Sequence, residues 1–150
     1  MKINIFQKAF GSVLFSGYFP FASGTVSSFV ALLIYLIPGF SNPIFMIIVI
    51  ILFTIFGWKT ATKFENAYGK DPHQCTIDEF VGTWISLLFV PQKVFYLISA
   101  FFIWRFFDIV KPFPAKNLEA LSGGAGIMLD DIVSSIYSLI LIHLIIYFLK

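Results

Sequence analysis

Apolar residues along this chain gather in five runs, and the charged residues collect in the stretches between them. The runs cover about residues 25–39, 43–62, 77–90, 93–110 and 126–149. None alternates apolar and polar positions with period two, as a half-buried strand or a lipid-facing barrel strand would, so all five predict helices. A straight helix needs about 20 residues to cross about 30 Å of hydrocarbon. The second, fourth and fifth runs approach that length. The first and third are marginal and predict helices that cross in part or are completed by their neighbours. Two connections, residues 39–43 and Pro91-Gln92, are short and carry no acid, whereas residues 63–76 and 111–125 are longer and polar. The opening segment, MKINIFQKAFGSVLFSGYFP, is broken by Lys8 and has no long apolar core before a small-residue cleavage site. It predicts an amphipathic segment lying at an interface, not a removed signal peptide. The pattern as a whole predicts an all-α integral membrane protein. Its architecture would be a bundle of about five transmembrane or partly spanning helices with an N-terminal interfacial segment, residues 1–150 forming one membrane-embedded domain.

Composition agrees with that pattern. Of 150 residues, 59% are hydrophobic and 12% charged, against about 25% charged in soluble domains, and mean hydropathy is +0.91. A net charge of +2 is too small to indicate a nucleic-acid partner. The single cysteine, Cys75, excludes an internal disulfide and any Cys-rich metal site. With five spans, the N-terminus and the two polar connections share one side, which collects Lys2, Lys8, Lys59, Lys63, Lys70, Arg105, Lys111 and Lys116. The other side has only Lys93 and Lys150. That asymmetry predicts a cytoplasmic polar side and an external C-terminus.

All eight acids fall on the same polar side. Asp78-Glu79, Asp108 and Asp130-Asp131 each stand where a polar connection meets an apolar run. An Asp at mid-membrane costs about 2.5–3.5 kcal/mol on insertion scales, so five carboxylates beside hydrocarbon predict a functional site at a membrane surface.

Each cluster has a structural reading beside a chemical one. Asp78-Glu79, after Thr76, reads as acids favoured in a first helical turn, with Thr76 or Asp78 as cap. Two adjacent carboxylates also suit a hard divalent cation. Arg105, Asp108 and Lys111 recur every three residues on one helix face before Pro112 and Pro114 stop the helix. They read either as an ion-pair ladder with snorkelling cations or as a phosphate clamp beside a metal-binding acid, Arg105 being the chain's one guanidinium. Gly123-Gly124-Ala125-Gly126 precedes Asp130-Asp131. It is a flexible linker with an Asp cap, or a turn whose amides meet an anion. Ser23-Gly24-Thr25 caps a helix or holds phosphate oxygen. Glu65 adds a carboxylate or pairs with a nearby Lys. His73 and His143 are weak ligand candidates, His143 reading as a packed or locally hydrogen-bonded helix residue about 18 Å along its helix from Asp131.

Several chemistries are excluded. Cys75 has Val81 six positions on, so the cysteine-phosphatase loop is absent. No Asp-x-Asp, no His-Glu-x-x-His and no CDP-alcohol phosphotransferase pattern occurs. The motifs that remain run in order: Gly17-Tyr18-Phe19-Pro20 with Ala22-Ser23-Gly24-Thr25, Asp71-Pro72, Ile77-Asp78-Glu79 with Val81-Gly82, Arg105-Phe106-Phe107-Asp108-Ile109 with Lys111-Pro112 and Pro114, and Gly123-Gly124 with Gly126-Ile127-Met128 and Asp130-Asp131. In that order they resemble the phosphatidylglycerophosphatase A family, bacterial inner-membrane lipid phosphatases, over almost the whole chain. The chain departs from the family at Ser134-Ser135 and Ser27, which are small-residue changes at expected helix contacts.

The resemblance implies Mg²⁺-dependent hydrolysis of phosphatidylglycerophosphate, held in the membrane lipid, to phosphatidylglycerol and phosphate at the cytoplasmic face of the bacterial cytoplasmic membrane. On that reading Asp78, Glu79, Asp108, Asp130 and Asp131 are candidate metal ligands. Asp78, Glu79, Asp108 and Asp131 are candidate catalytic acids and bases, and Arg105, Lys111, Thr25 and Gly124 are candidate phosphate-binding residues. Attack by water and a covalent aspartyl-phosphate route are both open. The contrasting reading is a small transporter subunit or a lipid-binding scaffold. Transport predicts ionisable groups spread through the depth of the bilayer, and only His143 lies deep.

Overall fold

The computed structural model describes residues 3–149. Lys2 and Lys150, one on each side of the expected charge asymmetry, lie outside the described residues. Among the described residues all regular structure is helical. The elements are α1 (Ile5–Gly11), a 3-10 turn at Ser16–Tyr18, α2 (Ser23–Tyr35), α3 (Pro43–Tyr68), α4 (Ile77–Ser86), α5 (Val94–Val110), α6 (Ala115–Glu119) and α7 (Gly124–Phe148).

Local chemistry sets several of the boundaries. In α1, Asn4 Oδ1 accepts from the Gln7 amide at 2.8 Å while Gln7 Oε1 accepts from the Asn4 amide at 3.2 Å, a closed capping box. Asn42 Oδ1 accepts from the Ile44 and Phe45 amides at 3.0 and 3.2 Å, and Pro43 occupies the first helical position of α3. That helix continues six residues beyond the apolar run that predicts it. Hydropathy falls at Lys63 and Glu65, yet Phe64 is fully buried, so the inward face persists until Gly69, at φ +98°, ends the helix. The expected loop over residues 63–76 therefore starts only at Gly69, and the loop after α5 holds the short helix α6.

Helix α4 lies at the centre, against α2, α3, α5 and α7. Each of its ten residues is buried except Glu79, which is half-buried. Helix α2 runs parallel to it: Ser27 Oγ donates to Thr76 Oγ1 at 2.7 Å, Trp84 Nε1 to the Ala31 carbonyl at 3.1 Å, and Tyr35 Oη to the Val90 carbonyl at 2.9 Å. Close approach on the other sides depends on glycine. A Cβ on Gly82 would overlap the Trp104 ring of α5, and one on Gly57 of α3 would lie 3.2 Å from Ile77 and 3.3 Å from Met128. The interior is rich in small polar side chains, Ser27, Ser28, Thr76, Thr83, Ser86, Ser134, Ser135 and Ser138. The outside carries large apolar ones, among them Phe45, Ile48, Leu52 and Phe56 on α3, Phe102 and Phe106 on α5, and Ile140 and Leu144 on α7. Helices α3 and α7, of 26 and 25 residues with mean hydropathy 2.2 and 1.9, are long and apolar enough to cross a bilayer.

Chain direction brings the starts of α2, α4 and α7 and the ends of α3 and α5 to one end of the bundle. The candidate chemistry collects there.

Candidate active site

The acids at this end divide into two sets. Asp78 and Glu79 from the first turn of α4 and Asp131 from α7 converge, with one carboxylate oxygen of each within 4.8 Å of the others. Asp78 Oδ1, Glu79 Oε2 and Asp131 Oδ2 are buried and have no hydrogen-bond partner. Buried carboxylate oxygens are normally paired or on a metal. Three carboxylates that converge and each keep an unpartnered buried oxygen suit a hard divalent cation, so these residues fit one.

Asp108 and Asp130 instead face side-chain cations. Arg105 Nη1 pairs with Asp108 Oδ2 at 2.6 Å. Lys111 Nζ donates to Asp130 Oδ2 and lies 3.6 Å from Asp131 Oδ1 and 4.0 Å from Asp108 Oδ1. The expected ladder at i, i+3, i+6 is thus present, but Lys111 also leaves it. Its backbone turns into the left-handed region at φ +45°, ending α5 and sending the ammonium across to α7. Burial alone would lower the Lys111 pKa, but Asp131, Asp130 and Asp108 outweigh it and raise it above the usual lysine value, so this residue stays cationic.

Capping, the structural reading of two clusters, is not what their side chains do. Thr76 makes no cap hydrogen bond to α4, because its hydroxyl accepts from Ser27. Ser23 Oγ donates to the His73 carbonyl at 2.9 Å, fastening the loop before α4 to the start of α2, and Thr25 follows in the first turn. The glycine turn is a correction. The Gly123 amide donates to Glu65 Oε1 and the Gly124 amide to Thr62 Oγ1, each at 2.8 Å, so the turn is docked on α3 and neither amide is free for an anion. Glu65 thereby caps α7 from another helix and does not join the acid cluster. Asp130 and Asp131 stand well inside α7, not at its cap.

Two residues enter the site that the sequence patterns did not single out for it. Ser28 Oγ, fully buried, accepts long hydrogen bonds from Trp104 Nε1 and Arg105 Nη1, both at 3.4 Å. Gly24, read only within a capping or phosphate motif, lies directly over Glu79: a Cβ there would overlap Oε1 and stand 3.2 Å from Arg105 Nη2. A pair of serines inside the otherwise apolar α2 was the available signal for Ser28. Cys75 is buried, and burial first, then the Glu79 charge, pushes its thiol well above the usual range. It is no nucleophile. His143, far along α7, donates from Nδ1 to the Leu139 carbonyl at 2.9 Å, as a locally bonded helix residue would.

Residues 9–146 match the family model for phosphatidylglycerophosphatase A. The chain belongs to the phosphatidylglycerophosphatase A family. Among curated relatives it is 31% identical over 126 residues to phosphatidylglycerophosphatase A of Escherichia coli, covering 82% of this chain and 73% of that one. It is 37% identical over 109 residues to the Haemophilus influenzae protein of the same name, covering 71% and 66%. It is also 40% identical over 135 residues, 85% of each chain, to a Bacteroides thetaiotaomicron protein named as a candidate phosphatidylinositol-3-phosphatase. No solved structure matches the chain. Family membership makes this a chain of the phosphatase class and leaves the transporter and scaffold readings without support.

Proposed function

We propose that the chain hydrolyses the terminal phosphomonoester of phosphatidylglycerophosphate at the cytoplasmic face of the bacterial cytoplasmic membrane, as one multi-pass membrane domain. The observation that carries the reading is the convergence of Asp78, Glu79 and Asp131, with unpartnered buried oxygens, beside Arg105 and Lys111. The many large apolar side chains on the outside of the bundle support the membrane setting. So do the basic side chains at the site end of the bundle.

In this mechanism Asp78, Glu79 and Asp131 would hold Mg²⁺. A bound Mg²⁺ supplies Lewis-acid polarisation of a phosphoryl oxygen and lowers the pKa of water. The remaining work falls to side chains. Asp108 holds one edge of the Arg105 guanidinium and Ser28 touches the same nitrogen, while Nε is buried and unpartnered, a donor waiting for a phosphate oxygen. Lys111, aimed by Asp130, adds the second positive charge against the phosphate as its charge redistributes. Thr25 adds a hydroxyl from the first turn of α2. The general base that takes the proton of the attacking water would be a carboxylate oxygen left free of the metal, for which Glu79, the least buried of the three converging acids, is placed. Asp108 and Asp130 act here as holders of the two cations, and Gly124 as a docking point.

A second substrate is favoured by one finding. The relative at 40% identity carries a phosphatidylinositol-3-phosphatase name, and phosphatidylinositol 3-phosphate offers the same lipid-borne phosphomonoester. The test is phosphate release by the purified protein from each lipid, with Mg²⁺ and with EDTA, beside Asp131→Asn. The expected outcome is Mg²⁺-dependent release from phosphatidylglycerophosphate that falls by about 100-fold or more in the variant. Faster release from the inositol lipid would move the substrate assignment, and no release from folded protein with either lipid would sink the enzymatic reading.

A further inference from the structure

On the face of α4 turned away from the acids lies a groove of about 310 Å³. Its walls are apolar: Phe10 of α1, Ile34 of α2, Val49 and Phe53 of α3, and Ile77, Phe80 and Trp84 of α4, with Phe40 at the far end. Ile77, Phe80 and Trp84 recur at i, i+3 and i+7, so the groove follows one face of α4 for about two turns, roughly 10 Å, starting at the level of the site. Asp78 and Glu79 fall on the other faces of the same turn.

We propose that this groove holds one acyl chain of a bilayer phospholipid, a resident lipid distinct from the one whose phosphate is removed. The inference rests on the membrane reading above. Three observations single out the occupant. The lining offers a water essentially no polar partner, and water enters only sites that supply two to four of them. Two of its wall residues, Val49 and Phe53 of α3, are sequence neighbours of the exposed Ile48 and Leu52, on the apolar strip that faces hydrocarbon on the membrane reading. Its size suits a chain: an apolar cavity of about 150 Å³ takes one benzene, so this volume accepts about twice that much hydrocarbon. An open apolar groove beside lipid either fills with hydrocarbon or forfeits the dispersion contacts of its walls. A phospholipid is the hydrocarbon at hand, and its headgroup would rest at the site end, near Ala9 and Leu14, on the opposite side of α4 from the acids. The chain acts as a wedge behind Ile77 and Phe80, holding the helix that carries Asp78 and Glu79.

The experiment uses the full chain in phosphatidylethanolamine–phosphatidylglycerol vesicles containing a phosphatidylethanolamine with a mid-chain diazirine, irradiated and mapped by mass spectrometry. Adducts are expected on Val49, Phe53, Phe40 or Trp84 as well as on the outer strip at Ile48 and Leu52. In Val49→Phe, which fills the groove, the groove adducts should fall to background while those on the strip persist. Ala9→Phe, which blocks it from α1, serves if the first variant does not fold. Adducts on the strip without any in the groove would overturn the proposal, whether the groove is empty or covered by a second copy of the chain. So would groove adducts that survive both fillings. Adducts on neither surface would remove the membrane reading, and this inference with it, even where phosphatase activity is intact.

Discussion

At the start of α2 one residue without a side chain lies directly over Glu79. Gly24 leaves room for the Glu79 carboxylate over the start of α2. Gly24→Ala should push that carboxylate aside and lower kcat/KM by up to about 100-fold, the cost of displacing a catalytic group by about an ångström. The circular dichroism spectrum should be unchanged, and equal activity in the variant would mean that the Glu79 position is not critical. Arg105 is the residue whose chemistry is least replaceable. Lysine keeps the charge but loses the planar fork that reaches Asp108 and Ser28 and still presents Nε. Arg105→Lys should lower kcat/KM about 10- to 100-fold, the range expected for a lost charge-assisted hydrogen bond, with Arg105→Ala lower still. A variant as active as wild type would remove Arg105 from phosphate binding. Asp78, Glu79, Asp108, Asp130 and Asp131 were all legible as acids placed beside hydrocarbon at real cost. Their partition was not, because it depends on the left-handed backbone at Lys111 that throws its ammonium onto α7. Gly124 misled for a related reason: a glycine turn before a helix advertises free amides, and only the neighbouring helix reveals that Thr62 and Glu65 have taken them.

At the scale of elements, five apolar runs became α2, α3, α4, α5 and α7, since hydropathy reports where a helix is greasy. It does not report where a helix ends, and α3 extends through Lys63 and Glu65 with Phe64 buried and Glu65 holding the Gly123 amide. The five residues of α6 are too few for any period to register. The role of α4 was the larger surprise. A marginal run predicted a helix completed by its neighbours or crossing only in part, and it is the buried axis of the bundle, its start set beside α7 so that two of its acids meet Asp131. Gly82 sets how near α5 comes to that axis. Gly82→Ala forces the buried Trp104 ring to move and should destabilise the protein by about 1–3 kcal/mol. Thermal unfolding in detergent measures this, and an unchanged midpoint would mean that α5 shifts freely.

The described residues form a bundle whose largely apolar core also holds buried serines, threonines and acids, with large apolar side chains outside and the acids gathered at one end beside Arg105 and Lys111. Its orientation in a membrane is testable. In a Cys75→Ser background, an impermeant maleimide should reach His73→Cys only in inverted vesicles and Gln92→Cys only in right-side-out ones. The reverse pattern would turn the site to the outside. The helices that frame the site also differ in length. Helix α2 has 13 residues and α5 has 17, about 20 and 25 Å of helix, while α3 and α7 reach nearly 40 Å. On the membrane reading proposed above, a bilayer about 30 Å thick in its hydrocarbon region would be mismatched on the α2–α5 flank, and thinning is one way to meet it. Lipids with short tails accommodate that pinch at least cost, so the enzyme should work faster in thin bilayers than in thick ones of the same headgroup, and its own annulus becomes a place where the membrane is locally compressed.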